Sequence, residues 1–162
     1  MIKVHDNIYV GQARVKHILS EDEYSFLCVS HAFHYKLLGW KNGIRYQNNP
    51  YYVRYLRDHL LSINWIDASA GFYNWGGSGV ETFIMALDFI ETELAEGRKV
   101  FIFCDQGMSR SPSVALLYLA KRLHVIPDTS FEEAREKFLL LYPMYNPGGI
   151  ADFIRENWGE IK

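Results

Sequence analysis

Cysteine is scarce in this chain: 162 residues hold two, Cys28 and Cys104. Two cysteines exclude a disulfide framework and a multi-cysteine zinc site. No apolar run reaches the roughly 20 residues that a membrane-spanning helix requires. Neither sign of charge dominates: 17 Lys and Arg stand against 19 Asp and Glu, for a formal net charge of −2. Long runs of like charge are absent too, which argues against a protein built to coat nucleic acid or an anionic membrane. The first residues, MIKVHDNIYVG, lack the features of a secretory signal or a transit peptide, so a reducing, cytoplasmic setting is expected. Histidine never recurs at metal-ligand spacing with a carboxylate or thiol. His31 and His34 lie three apart with no third ligand nearby and are expected on a helix surface. Repeats, low-complexity tracts and linker-like stretches are missing as well, so residues 1–162 are expected to form one domain.

Apolar residues are plentiful: 49% of the chain is hydrophobic and 15% aromatic, enough for a substantial core. Asp6-Asn7 separates two short strand-like pieces, and Phe26 to Val29 reads as a buried strand. Leu60 to Ile66 is strand-like and ends at Asp67. The glycine-rich residues 68–79 read as a loop. A helix then opens at Ser78, whose S-x-x-E spacing to Glu81 forms a capping box, and runs to a cap at Gly97. Val100 to Phe103 is apolar without alternation, as suits a central strand covered on both faces. Ser111-Pro112 opens the next helix, Ser130 and Glu133 form a second capping box, and a last helix follows the turn Asn146-Pro147-Gly148-Gly149. This order predicts an α/β fold: a small, mostly parallel central sheet with helices on both faces. Residues 39–58 carry no clear pattern. Within them, residues 45–57 interleave arginine with tyrosine, as a base-stacking surface, a rim around a site or an aromatic loop and helix packed on the sheet would.

The chemistry concentrates in VFIFCDQGMSRSPSVALLYLA. A buried strand delivers Cys104 to a short loop, Gly107 permits a tight bend, and a helix begins at Ser111. The N–H groups of such a loop can converge on one point, backed by the positive end of the helix dipole. That nest binds an oxyanion, and the planar fork of Arg110 can grip two of its oxygens. The same donors favour a thiolate at Cys104. A thiolate beneath a bound phosphate is placed for in-line attack, giving a cysteinyl-phosphate intermediate. Cys28, inside an apolar strand, reads as core packing, with a redox pairing to Cys104 as the alternative.

The C-x5-R-S spacing between a strand and a helix resembles the signature of the protein tyrosine phosphatases. Cys104-Asp105-Gln106-Gly107-Met108-Ser109-Arg110-Ser111 is most similar to the C-x-x-G-x-S-R-S of the dual-specificity branch. Asp6 to Gly11, Ala86 to Ile90 and Ser130 to Ala134 resemble other parts of that branch, and residues 60–158 follow its pattern, whereas residues 30–58 do not. The resemblance implies that Cys104 is the nucleophile and that Arg110 holds phosphate. It implies that Ser111 assists departure of the thiolate and that the backbone N–H groups of Asp105, Gln106, Gly107, Met108, Ser109 and Arg110 line the nest. It also implies an aspartate as general acid. Asp67, 37 positions before Cys104, is the candidate, and Asp88 is the competitor by spacing but belongs to a helix and should face solvent. Asp105 should point outward, because a carboxylate aimed at phosphate would repel it. The family usually carries histidine just before the nucleophile, and here that position is Phe103. Without that histidine, Cys104 is expected to ionise less readily than in typical relatives, though more readily than free cysteine.

The function so implied is hydrolysis of phosphate monoesters. Phosphotyrosine in a protein or peptide is the favoured substrate, phosphoserine and phosphothreonine are further candidates, and no cofactor, metal or membrane partner is called for. The loop has no lysine, and Asp105 makes it less positive, which argues against inositol phosphates. An RNA 5′-phosphatase remains an alternative only through residues 45–57. A phosphate-binding module without turnover, a pseudophosphatase, is the rival from another class; a sulfur-transfer or arsenate-reducing enzyme would leave the downstream helices unexplained.

Overall fold

The computed structural model of the chain describes residues 1–77 and 79–162, apart from the side chains of 74–77. Ser78, the expected cap of the long helix, falls outside the described residues. Asn7, in the left-handed conformation at φ 61°, reverses the chain between β1 (Ile2–His5) and β2 (Ile8–Gln12), which pair antiparallel. Four further strands complete one sheet: β3 (Tyr24–Cys28), β4 (Arg54–Arg57), β5 (Leu60–Ile63) and β6 (Lys99–Cys104). Their order is β1-β2-β6-β3-β5-β4. The inner pairs β2–β6, β6–β3 and β3–β5 are parallel and the two outer pairs antiparallel, so the mostly parallel sheet expected from the sequence is present.

β6 explains its own lack of alternation. Val100, Ile102 and Cys104 enter the main core, while Phe101 and Phe103 enter a second cluster on the opposite face. The main core is covered by α2 (Gly79–Ala95), α3 (Arg110–Lys121), α4 (Phe131–Leu141) and α5 (Gly149–Glu156). α3 is buried from Arg110 through Ala120, so it is apolar nearly all round rather than along one stripe. The Ser130 cap forms as its spacing predicts, the hydroxyl accepting from Glu133 N at 3.2 Å. The second face is covered more thinly, by a 3-10 turn over Ala13–Ile18 and by α1 (His31–Leu38).

Several local expectations change. Residues 70–77 form a 3-10 helix rather than loop, and it packs against α5. Residues 45–57 contain no helix, and β4 at their end is an edge strand of the sheet. Before it, Trp40 stacks on Tyr46 with ring centres 4.6 Å apart, and the Tyr35 hydroxyl donates to Ile44 O at 2.6 Å. His34 is not on the surface. It is buried between Ser62 Oγ (2.8 Å) and Tyr51 O (2.7 Å), where burial lowers its pKa to about 4. Its two nitrogens help tie α1 to β5 and to the patternless segment, alongside the Tyr35 hydroxyl. Buried Glu93 accepts from Ser25 Oγ and meets His59 Nδ1 at 2.7 Å, with Arg98 Nε at 3.7 Å to balance its charge. His59, Glu93 and Glu96 offer a group of ligand atoms within 4.8 Å of one another. Sequence spacing does not reveal that grouping, because it joins distant elements. No helix among the described residues is long and apolar enough to cross a membrane.

Candidate active site

The carboxyl ends of β2, β6, β3 and β5 share one edge of the sheet, the usual place for ligands in such folds. Cys104 ends β6 at that edge, opposite Gln12 of β2. The thiol is 2% exposed, and its Sγ lies 3.2 Å from Ser111 Oγ in the first turn of α3. Ser111 in turn donates to Gly11 O at 3.4 Å.

In the loop from Asp105 to Ser109 that follows this thiol, the carbonyls of the last three residues are held by donors outside the loop. Tyr142 OH donates to Gly107 O at 2.6 Å, Asn146 N to Met108 O at 2.8 Å, and both Ser113 N and Ser113 Oγ to Ser109 O. A peptide plane whose C=O points out directs the following N–H in. Among the described residues, the N–H groups of 105–109 make no turn or loop hydrogen bond to another backbone carbonyl. Gly107 is required twice over: its φ is +72°, and a Cβ there would sit 2.8 Å from the backbone carbon of Gly11.

Arg110 is 4% exposed and enters the site from the start of α3. Its Nη1 donates to Trp65 O at 2.7 Å and its Nη2 to Asp105 Oδ2 at 3.0 Å. Its Nε is buried and has no hydrogen-bond partner in the protein. A buried donor left unmet carries a desolvation cost, and an oxyanion in the nest would satisfy it. Asp105 does not point away from the site as expected. One oxygen meets Arg110, and the other accepts from Ser30 Oγ at 2.5 Å. The physical reason is that a buried guanidinium needs a counter-charge, and Asp105 is near enough to supply it.

A cavity of about 440 Å³ opens above Cys104 and Arg110. Asp105, Gln106, Met108 and Ser109 form one side of it, and Asp67, Asn146, Pro147 and Gly148 the other. Asp67 follows β5 and is brought to the cavity by the start of α5. A Cβ on Gly148 would lie 3.6 Å from Asp67 Oδ1, and one on Gly149 would lie 2.2 Å from Ala68 O. Behind this loop sits Tyr73, buried among Trp65, Phe83 and Phe153. Burial raises its pKa, and the charges of Arg110, Asp67 and Cys104 all act on its hydroxyl. Asp88 is elsewhere, exposed on α2 and 2.8 Å from Arg122. None of residues 45–57 lines the cavity.

Cys28 and Cys104 enter clusters on opposite faces of the sheet, and both are free thiols. The redox pairing considered from sequence therefore has no geometry to support it. Burial pushes the Cys28 thiol well above its ordinary pKa. Phe103, where the family usually has histidine, is fully buried and meets Phe33 edge to face at 5.0 Å. It offers the phosphate loop no hydrogen bond; it anchors β6 to α1 instead. Sequence reasoning missed Ser30, Tyr73, Tyr142 and Gly149. Only Gly149 left a trace, as the second glycine of a pair where one suffices for a turn.

No family model matches the chain. Over 61 residues it is 33% identical to Dual specificity protein phosphatase 1-A of Xenopus laevis, a stretch covering 38% of this chain and 16% of that protein. The matched stretch is thus about a sixth of that relative's length. Among solved structures, the human tyrosine phosphatase-like serine/threonine/tyrosine-interacting protein superposes with a TM-score of 0.66 at 13% identity, over 98% of this chain and 95% of that one. Human DUSP28 superposes with a TM-score of 0.64 at 16% identity, over 99% and 94%. The chain therefore has the fold of the dual-specificity phosphatases, and its sequence is similar to that branch.

Proposed function

We propose that this chain is a cysteine-dependent phosphatase acting on phosphate monoesters, with phosphotyrosine in proteins or peptides as its first substrate class. The observation that carries the proposal is the buried thiol of Cys104 beneath a loop whose carbonyls at Gly107, Met108 and Ser109 are held by outside donors, beside an Arg110 whose buried Nε has no protein partner. Phosphate oxygens take the inward N–H groups of residues 105–110 and the Arg110 guanidinium. The thiolate of Cys104 attacks phosphorus in line. A P–S bond forms as the P–O bond to the alcohol or phenol breaks, and Asp67 gives its proton to the departing oxygen. Water then attacks the cysteinyl-phosphate, Asp67 takes a proton from that water, and the P–S bond breaks. Ser111, 3.2 Å from Sγ, donates to the thiolate as it leaves. The positive charge needed to stabilise the transferring phosphoryl group comes from Arg110 and the N–H nest.

Hydrolysis of p-nitrophenyl phosphate tests the proposal. Turnover that Cys104→Ser abolishes supports it. Absence of turnover in the unmodified protein, with phosphopeptide binding retained, makes the chain a binding module instead.

A further inference from the structure

Asp105 is the one acidic side chain within the phosphate loop, and it is not free to turn away. Its Oδ1 accepts from Ser30 Oγ at 2.5 Å. Ser30 is buried and fixed in its own right, since the same oxygen caps α1 by accepting from Phe33 N at 3.1 Å. Oδ2 of Asp105 rests 3.0 Å from Nη2 of buried Arg110. Yet 44% of the Asp105 side chain is exposed, so a carboxylate locked from below presents itself at the cavity mouth.

The rest of the mouth does nothing to offset it. Gln106, Met108, Asn146 and Pro147 are uncharged, and Arg110 is the one cation among the described residues that line the cavity. Asp67 must carry its proton when it acts as an acid, and a phosphate dianion shares the single charge of Arg110 with Asp105, so negative charge is in excess at the mouth. The charge left to face the residues beside the phosphorylated one is that of Asp105.

We infer that Asp105 is a specificity-determining residue that selects phosphorylated residues flanked by lysine or arginine, and disfavours those flanked by carboxylates or further phosphates. This deepens the phosphatase reading and rests on it. A cation within roughly 6 Å of a half-exposed carboxylate, set against an anion in the same place, should change kcat/KM by about tenfold at low salt. Screening beyond a Debye length of roughly 10 Å at 0.1 M shrinks that preference as salt rises.

The test is a set of phosphotyrosyl peptides, identical except for Lys, Ala or Glu on either side of the phosphotyrosine. They are assayed at low and high salt with the unmodified protein, Asp105→Asn and Asp105→Glu. The expected result is a Lys-to-Glu ratio in kcat/KM of about ten, carried mainly by KM, falling with salt, reduced severalfold in Asp105→Asn and restored in Asp105→Glu. Because it is a ratio within one preparation, a partly inactive variant does not distort it. Should Asp105→Asn not fold, the salt-dependent ratio of the unmodified protein decides alone. Equal efficiency on all three peptides, or an unchanged ratio in Asp105→Asn, overturns the inference while p-nitrophenyl phosphate turnover leaves the phosphatase reading standing. No turnover of p-nitrophenyl phosphate or of any peptide overturns both.

Discussion

Replacing Gly149 with alanine would push a methyl group into the loop that carries Asp67. Its Cβ would lie 2.2 Å from Ala68 O, 2.5 Å from Ser69 Cα and 2.8 Å from Ser69 C. Non-bonded carbon contacts settle near 3.5–4.0 Å. The obstructing atoms are backbone, so no side chain can rotate aside, and the loop or the start of α5 must move by about 1 Å. A displacement of that size at a catalytic group can lower turnover about 100-fold. The loss should fall on substrates that need the acid. With phenyl phosphate, a poor leaving group, kcat should drop about 100-fold, and with p-nitrophenyl phosphate far less. Alkylation of Cys104 by iodoacetate should proceed much as before, because Tyr142 and Ser113, outside the displaced turn, hold the carbonyls of Gly107 and Ser109. Gly148→Ala, whose methyl would meet only Asp67 Oδ1 at 3.6 Å, should have a much smaller effect. Unchanged kcat on phenyl phosphate in Gly149→Ala would refute the reasoning, as would equal losses on both substrates with Cys104 no longer reactive.

Three further outcomes follow from the same geometry. Asp67→Asn should lower kcat on phenyl phosphate by about 10²–10⁴-fold, the usual contribution of a positioned proton donor, and should also remove the acid dependence of its pH profile; the same change at Asp88 should do neither. Gly107→Ala forces a side chain into φ +72° and against the Gly11 backbone, so it should abolish vanadate binding, measured by titration calorimetry, even where circular dichroism shows the fold intact. His34 should make the protein sensitive to mild acid. Its pKa falls from 6.5 unfolded to about 4 folded, chiefly through burial, so its contribution is whole above pH 6.5, declines as pH drops and is gone below about 4. Urea titrations at pH 7 and pH 5 should differ by about 2 kcal/mol more in the unmodified protein than in His34→Gln, from the linkage of one shifted group.

The sequence carried the parts of this protein that are local. A strand buried on both faces shows as the unalternating Val100 to Phe103, and the loop proposed to hold phosphate shows as Cys104, Gly107 and Arg110 in one short stretch, because loop and helix dipole are built from neighbours in the chain. Capping at Ser130 is local in the same way, since the hydroxyl reaches an N–H three residues on. Asp67 was placed at the end of a strand-like run over Leu60 to Ile66; the strand itself stops at Ile63, and Asp67 lines the cavity from the segment that follows it.

What the tertiary structure decided are contacts between distant segments, where composition and spacing carry no signal. His34 reads as a surface residue until β5 and Tyr51 O close over it. The two thiols look able to pair until the pleat sends Cys28 and Cys104 to opposite faces. Residues 45–57, rich in arginine and tyrosine, leave a base-stacking surface, a rim around the site and plain packing all open until the strand order puts β4 at the far edge, away from the cavity. The 3-10 helix over residues 70–77 is hidden behind glycines, and it forms where α5 packs against it. Asp105 is the sharpest case. Taken alone, a carboxylate in a phosphate loop should turn outward. The buried charge of Arg110 and the hydroxyl of Ser30, 75 positions away in the chain, hold it in place. Alternation, capping and loop chemistry are set by neighbours along the chain, whereas the partner of a buried charge is whichever group the folded chain brings within reach.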